Sequence, residues 1–280
     1  MTIETIDEVR VGNVHLRMLQ CGQGPTVVFL HGDNGQLFAT PFIEALAADF
    51  RVIAPVLPGW AGTERPRHLI SVDDLAYVVL DLLDSLDLCD VHLVGASMGA
   101  WTAAEVVTKS QARVASLTLC APVGIKFAGR EQRSFVDLYA TKFNDVAGLM
   151  YSDQRRAPDL RKSDDAELLE LAQAEEAVAR FGWEPYFHSR SLRHRLHRIQ
   201  IPTLVVGGTD DHFVLEDRYI DQWVQAIGGN ATGVSIDGAG HRIEEECPHE
   251  LAEVVGQFVK RNVSTADVAL SKASEGEGGR

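Results

Sequence analysis

Leu93-Val94-Gly95-Ala96-Ser97-Met98-Gly99-Ala100-Trp101 is the stretch whose reading decides the fold. The apolar run Val91 to Val94 reads as a buried strand, and Met98 to Ala104 reads as the opening of a helix. Ser97 stands at the corner between them, with Gly95 and Gly99 on either side. A strand-to-helix turn this sharp leaves no room for side chains at the two glycines. In return it lifts the Ser97 hydroxyl clear of the sheet and points the new helix's N-terminus at the same spot. Two readings stand at this point: a nucleophile at a strained corner, or a glycine-rich turn with an incidental serine.

Outward from that corner, strand and helix signals alternate, the pattern of a mostly parallel sheet covered on both faces. Glu8 to Gln20 reads as a hairpin around Gly12-Asn13. Thr26 to Leu30, Arg51 to Ala54, Ala115 to Cys120, Thr203 to Val206 and Gly233 to Ile236 read as further strands. Ser71 with Asp74 forms a helix-capping pattern, and Leu75, Val78, Val79, Leu82, Leu83 and Leu86 follow as one apolar stripe. A helix is expected from Leu215 to Ala226, and another after Pro248 carries Leu251, Val254, Val255, Phe258 and Val259. The rhythm breaks between Gly124 and His197, where the text is helical and charged without a buried-strand run. Ser163 or Asp164 can cap a helix there whose Leu171, Ala174, Val178 and Phe181 share a face. The expected organisation is a core over 1–123, a helical cap over 124–197, the rest of the core over 198–262, and a disordered tail over 263–280.

Composition narrows the partners. The chain carries a formal net charge of −14 and no Lys/Arg block, which argues against nucleic acid and anionic membrane surfaces. No apolar run approaches the ~18 residues of a membrane span. The opening Met1-Thr2-Ile3-Glu4-Thr5-Ile6-Asp7 has neither the basic nor the apolar region of a signal peptide. Cys21, Cys89, Cys120 and Cys247 are scattered, as expected of reduced thiols in a cytoplasmic protein, and no metal site or cofactor is expected. The expected partner is a small-molecule substrate; self-association into a homo-oligomer is left open.

A serine hydroxyl needs a base within hydrogen-bond reach, and that base needs an orienting carboxylate. Two late loops offer both. Gly207-Gly208-Thr209-Asp210-Asp211-His212 follows one strand, and Asp237-Gly238-Ala239-Gly240-His241 follows the last. Both leave strand ends, where ligands bind in open α/β sheets. Asp210 and Asp211 compete for the carboxylate role.

In these features the chain resembles the α/β-hydrolase superfamily over nearly all of residues 8 to 262. The resemblance rests on His31-Gly32, Pro58-Gly59-Trp60-Ala61-Gly62, Gly95-Ala96-Ser97-Met98-Gly99, Gly208-Thr209-Asp210-Asp211 and Gly240-His241, which occur in the family's order. It implies an α/β-hydrolase fold with a helical cap, Ser97 as nucleophile, and His241 as general base and then acid. The family's spacing of Gly208, Asp211 and Val214 selects Asp211 over Asp210. It also implies an oxyanion hole from the N–H groups of Met98 and Asp33. An acid at Asp33 departs from the apolar or aromatic residue usual there, and is expected to cap a turn with Asn34-Gly35. Ala96 and Arg242 also depart from the meta-cleavage-product hydrolase branch, where asparagine and an aromatic residue are common.

The resemblance implies acyl-transfer hydrolysis of a small ester, thioester or lactone through a covalent Ser97 intermediate. Carbon–carbon bond hydrolysis of the meta-cleavage type is the alternative enzyme reading. Since fold alone does not fix function, a ligand receptor or a lyase on the same scaffold is the reading outside hydrolysis. Candidate substrate contacts are Trp60, Trp101, Cys120, Trp183, Phe187 and His188, with Arg195 as a cation for an anionic group.

Overall fold

The continuous apolar runs become the interior strands of one eight-stranded sheet in a computed structural model that describes residues 4–36 and 39–263. β1 (Glu4–Val11) and β2 (Val14–Cys21) form an antiparallel hairpin that turns at Gly12 with φ +59°. β3 (Thr26–Leu30), β4 (Arg51–Pro55), β5 (Val91–Ala96), β6 (Val114–Cys120), β7 (Thr203–Gly208) and β8 (Ala231–Ile236) complete the order β1-β2-β4-β3-β5-β6-β7-β8. β2 runs antiparallel to β4, and every pairing from β4 to β8 is parallel. Every residue of β5 is buried, as its position in the middle of a sheet covered on both faces requires.

Helices pack on both faces. On one, α2 (Val72–Ser85) and α3 (Met98–Lys109) bury their apolar stripes together with residues between β6 and β7. The Ser71–Asp74 capping box is formed in both directions: Asp74 N–H donates to Ser71 Oγ at 3.2 Å, and Ser71 N–H to Asp74 Oδ2 at 2.9 Å. On the other face lie α1 (Thr40–Leu46) and α8 (Pro248–Asn262), packed over a second apolar cluster around Phe29, Phe42 and Val94.

Residues 121–202, between β6 and β7, add no strand to the sheet among the described residues. They hold α4 (Phe143–Met150) and α5 (Asp165–Gly182), with short 3-10 turns around them. Asp164 begins α5 by accepting from Ala166 N–H and Glu167 N–H, both at 2.9 Å. Ala174, Ala177, Val178 and Phe181 are buried beneath it. Phe181 lies flat on Trp60 of the core, with ring centroids 5.7 Å apart.

One expected element needs correction. The helix expected from Leu215 begins only at Tyr219, as α6 (Tyr219–Ile227), after Arg218 in a left-handed conformation. The backbone before it is engaged elsewhere: Leu215 N–H donates to Ser134 O, and Val136 N–H to Phe213 O, both at 2.9 Å. These non-local bonds outweigh the helical preference of Leu215 and Glu216. In addition, α1 and the short α7 (Ile243–Glu246) were not anticipated. The tail expected from 263 lies, beyond Val263, outside the described residues. Among the described residues no helix is long and apolar enough to cross a membrane.

Candidate active site

The corner after β5 is strained in the way its sequence requires. Ser97 has φ +46° and ψ −110°, a region that costs a non-glycine residue roughly 1–3 kcal/mol. A methyl group on Gly95 would sit 2.4 Å from Gly99 O, and one on Gly99 would sit 2.1 Å from Leu30 O. Neither fits, so both positions must be glycine. Ser97 N–H donates to Cys120 O at 2.9 Å and ties the corner to β6.

His241 reaches the serine from the loop after β8. Its Nε2 lies 3.0 Å from Ser97 Oγ, and its Nδ1 lies 2.8 Å from Asp211 Oδ2 in the loop after β7. Asp211 Oδ1 accepts from Phe213 N–H at 2.9 Å and Val214 N–H at 3.1 Å. Burial pushes the Asp211 carboxyl upward, but His241 and these two N–H groups outweigh it and leave its pKa below the ordinary value. Asp210 is exposed, and among the described residues its carboxylate receives only a 3.5 Å contact from Thr209 Oγ1. The chain Ser97–His241–Asp211 can pass the serine proton to the imidazole while the carboxylate fixes the tautomer, with the proton on Nδ1.

Two features that hold His241 were missed in the sequence. Phe213 packs its ring edge-on against the imidazole, 4.8 Å between centroids. Glu246 accepts from Gly240 N–H at 2.7 Å, Ser152 N–H at 3.1 Å and Asp153 N–H at 2.9 Å, clamping the loop before His241 to the segment after α4. Burial opposes its charge, yet these bonds hold its pKa below the usual carboxylate range. A glutamate a few residues after the histidine was visible as text, but its partners were not.

The other side of Ser97 is the loop after β3. His31 is buried, with Nδ1 2.9 Å from Gly32 O, and its Nε2 accepts from Leu57 N–H at 3.0 Å. Burial drives its pKa down to about 4, so it stays neutral and acts as a brace. A methyl group on Gly32 would lie 3.6 Å from Ser97 Cβ, which places this loop directly against Ser97. Trp60 fixes it from behind, its indole N–H donating to Asp33 O at 2.9 Å. Met98 opens α3, so its N–H is a first-turn donor with no acceptor inside the helix.

Asp33 does not cap the turn with its side chain as expected. The turn is closed by backbone, Gly35 N–H to Gly32 O at 3.2 Å, and the Asp33 carboxylate pairs instead with Arg242, Oδ2 to Nη2 2.6 Å. Burial raises the carboxyl, but the guanidinium wins and holds it below its ordinary pKa.

A cavity of about 230 Å³ opens beside this loop. Asp33, Asn34 and Arg242 line its core side, and Tyr139, Leu171, Glu175 and Val178 line the opposite side. Phe187 is buried, 5.2 Å from the Phe213 ring that packs on His241, and shares with Met98 the contact surface over Gly182. Trp183 is 55% exposed and does not line this cavity, although Tyr139, its edge-on neighbour at 5.2 Å, does.

The remaining candidates are placed elsewhere. Trp101 is buried against Gly124. Cys120 lies in the apolar cluster on the α1/α8 face, where burial pushes its thiol well up. His188 has Nδ1 2.9 Å from Tyr186 O and borders a separate hollow with Lys126 and Arg133. Arg195 faces Asp73 at 3.6 Å and Glu105 at 3.8 Å, so its charge is taken up between α2 and α3. Among the described residues no group of His, Cys, Asp and Glu has an arrangement that could hold a metal ion.

Residues 27–254 match the model of the alpha/beta hydrolase family. The chain belongs to that family. It is 29% identical over 265 residues to a dihydrolipoyllysine-residue acetyltransferase component of the acetoin cleaving system of Pseudomonas putida, covering 91% of this chain and 69% of the relative. It is 25% identical over 288 residues to 2-hydroxy-6-oxo-6-(2'-aminophenyl)hexa-2,4-dienoic acid hydrolase of Metapseudomonas resinovorans, covering 95% and 93%. The crystal structure of naproxen esterase from Bacillus subtilis has the same fold: TM-score 0.73 at 17% identity, covering 92% of each chain. The chain is thus an enzyme of the alpha/beta hydrolase family, with a meta-cleavage hydrolase among its relatives.

Proposed function

We propose that this enzyme hydrolyses a small, uncharged ester, thioester or lactone through a covalent intermediate on Ser97. The observation that carries the reading is the unbroken hydrogen-bonded chain from Ser97 Oγ through His241 to Asp211, at 3.0 and 2.8 Å. In the first half, His241 Nε2 takes the serine proton as Oγ adds to the carbonyl carbon. The imidazolium then gives that proton to the departing alcohol or thiol, leaving an acyl-serine. In the second half, water attacks the acyl carbon, His241 takes its proton, and Ser97 leaves with that proton restored. Asp211 stays ionised and stabilises the imidazolium. The N–H groups of Met98 and Asp33 receive the oxyanion. Residues 124–197 act as a cap that closes the cavity from above.

A second reading, carbon–carbon bond hydrolysis, is favoured by the meta-cleavage relative that matches this chain almost end to end. The electrostatics favour the ester. The cation bordering the cavity, Arg242, is already paired with Asp33 at 2.6 Å, and Glu175 adds a further acid. A substrate carboxylate finds no uncommitted positive group there.

Activity toward p-nitrophenyl butyrate and toward a vinylogous 1,5-diketone acid decides between the two readings. Ester turnover lost in Ser97→Ala, with a fluorophosphonate adduct on Ser97 of the wild type, is the expected result. Diketone cleavage without ester turnover favours the second reading, and absence of both turnover and adduct removes the hydrolase mechanism.

A further inference from the structure

Asp33 presents an electrostatic problem. Its N–H serves the oxyanion, yet the same residue carries a carboxylate buried to 6% side-chain exposure. A negative charge one side chain away from a developing oxyanion, in a site shielded from water, raises the barrier that the N–H should lower.

The structure answers with a closed ring of contacts. Arg242 Nη2 lies 2.6 Å from Asp33 Oδ2, and Arg242 Nη1 donates to Tyr151 Oη at 3.5 Å, with the guanidinium stacked over that ring. Tyr151 donates in turn to Glu245 Oε2. Glu245 Oε1 accepts from Asn34 Nδ2 at 3.1 Å, and Asn34 is the residue after Asp33. The ring starts and ends on the loop against Ser97, and it runs through the neighbour of His241. Its cation is an arginine, which keeps its charge throughout the working pH range.

We infer that Arg242 is the positioning residue of the oxyanion hole: it holds the Asp33 carboxylate in a compensated ion pair, so that the charge of that carboxylate does not oppose the oxyanion at the neighbouring N–H. The inference rests on the Ser97 hydrolase reading. It assigns Arg242 an effect on the chemical step, where the oxyanion forms, and little effect on ground-state binding of an uncharged ester.

The test is a charge cycle on the full chain, with p-nitrophenyl butyrate as the probe and thermal melts as the folding control. In Arg242→Gln, kcat falls on the order of 10²-fold, the scale of losing one oxyanion donor, while KM moves far less. Adding Asp33→Asn removes the uncompensated charge, and the double variant regains at least about tenfold in kcat over Arg242→Gln. Arg242→Lys keeps the charge and stays within about tenfold of wild type. A purely structural arginine gives the opposite pattern: Asp33→Asn worsens Arg242→Gln or leaves it unchanged, and that result overturns the inference. If Arg242→Gln does not melt cooperatively, the lysine and double variants decide, and a loss beyond tenfold in both overturns it. Wild type that takes no fluorophosphonate label at Ser97 defeats the hydrolase reading itself, a separate outcome.

Discussion

His241 and Arg242 are neighbours in sequence, and each holds a buried carboxylate on one side of Ser97. Asp211 Oδ2 lies 2.8 Å from His241 Nδ1, and Asp33 Oδ2 lies 2.6 Å from Arg242 Nη2. The two sides differ in what else supports the acid. Asp211 Oδ1 receives two backbone N–H groups, whereas Asp33 Oδ1 has no hydrogen-bond partner among the described residues. They also differ in the cation: an imidazole can gain and lose a proton during turnover, and a guanidinium cannot. The Asp211 side is therefore suited to moving a proton and the Asp33 side to holding a charge still.

The strongest challenge to that contrast is Asp211→Asn. An amide in this position accepts poorly from Nδ1–H and lets the imidazole take the wrong tautomer, so kcat toward p-nitrophenyl butyrate falls on the order of 10⁴-fold. The two backbone donors keep the loop in place, so the melting temperature changes little. A loss under tenfold means that the proton-moving side is not organised around Asp211.

The two sides were unequally legible in the sequence. The corner at Ser97 could be read because its constraint is steric and local: Gly95 and Gly99 leave no space for a side chain, and that requirement is written within five residues. The order of Ser97, Asp211 and His241 could be read because each follows a strand-like run. The Asp33–Arg242 pair left no local sign. Its members stand 209 positions apart, and each was noticed only as a departure from a family pattern, in isolation from the other. Arg195, expected as a cation for an anionic group, was misplaced for the converse reason. Charge density along the chain says nothing of direction, and Arg195 points to acids on α2 and α3. The start of α6 was misplaced because the residues before it bond to 134–136, a pairing that no propensity encodes.

Trp60→Phe sharpens the contrast on the oxyanion side. Phenylalanine keeps the stack on Phe181 and loses only the N–H that fixes Asp33 O. One hydrogen bond of this kind is worth ~0.5–1.5 kcal/mol, so kcat falls about three- to tenfold with KM nearly constant. A change confined to KM would show that Trp60 contacts substrate and does not hold the loop.

In Glu244, a third buried carboxyl, its own backbone N–H and the attraction of Arg242 fall short of offsetting burial, and Oε2 has no hydrogen-bond partner among the described residues. Burial, and then the nearby Glu245, raise its pKa from 4.5 to about 8. Between those two values the folded chain holds a proton that the unfolded chain releases, so stability falls as pH rises across the window, by at most ~1.4 kcal/mol per pH unit. Below about pH 4.5 both states are protonated and the effect vanishes. Glu244→Gln is expected to flatten the decline in melting temperature between pH 5 and 8. An unchanged slope shows that this carboxyl is ionised in the folded state.

Arg195→Ala carries the smallest expected effect, and it separates an arginine that compensates charge in the site from one that does so elsewhere. Arg195 is 45% exposed and faces Glu105, whose side chain is 1% exposed. Removing it does not strand that acid, because Lys109 Nζ remains 3.0 Å from Glu105 Oε2 and 2.7 Å from Asp73 Oδ1. The loss in stability therefore stays within the ~0–1 kcal/mol of a solvent-screened pair. kcat/KM stays within about twofold of wild type for an uncharged ester and for one bearing a carboxylate, since neither substrate meets this guanidinium in the cavity beside Asp33. A selective loss of more than tenfold on the carboxylate-bearing ester would show that Arg195 recognises a substrate anion and would overturn the preference for uncharged esters.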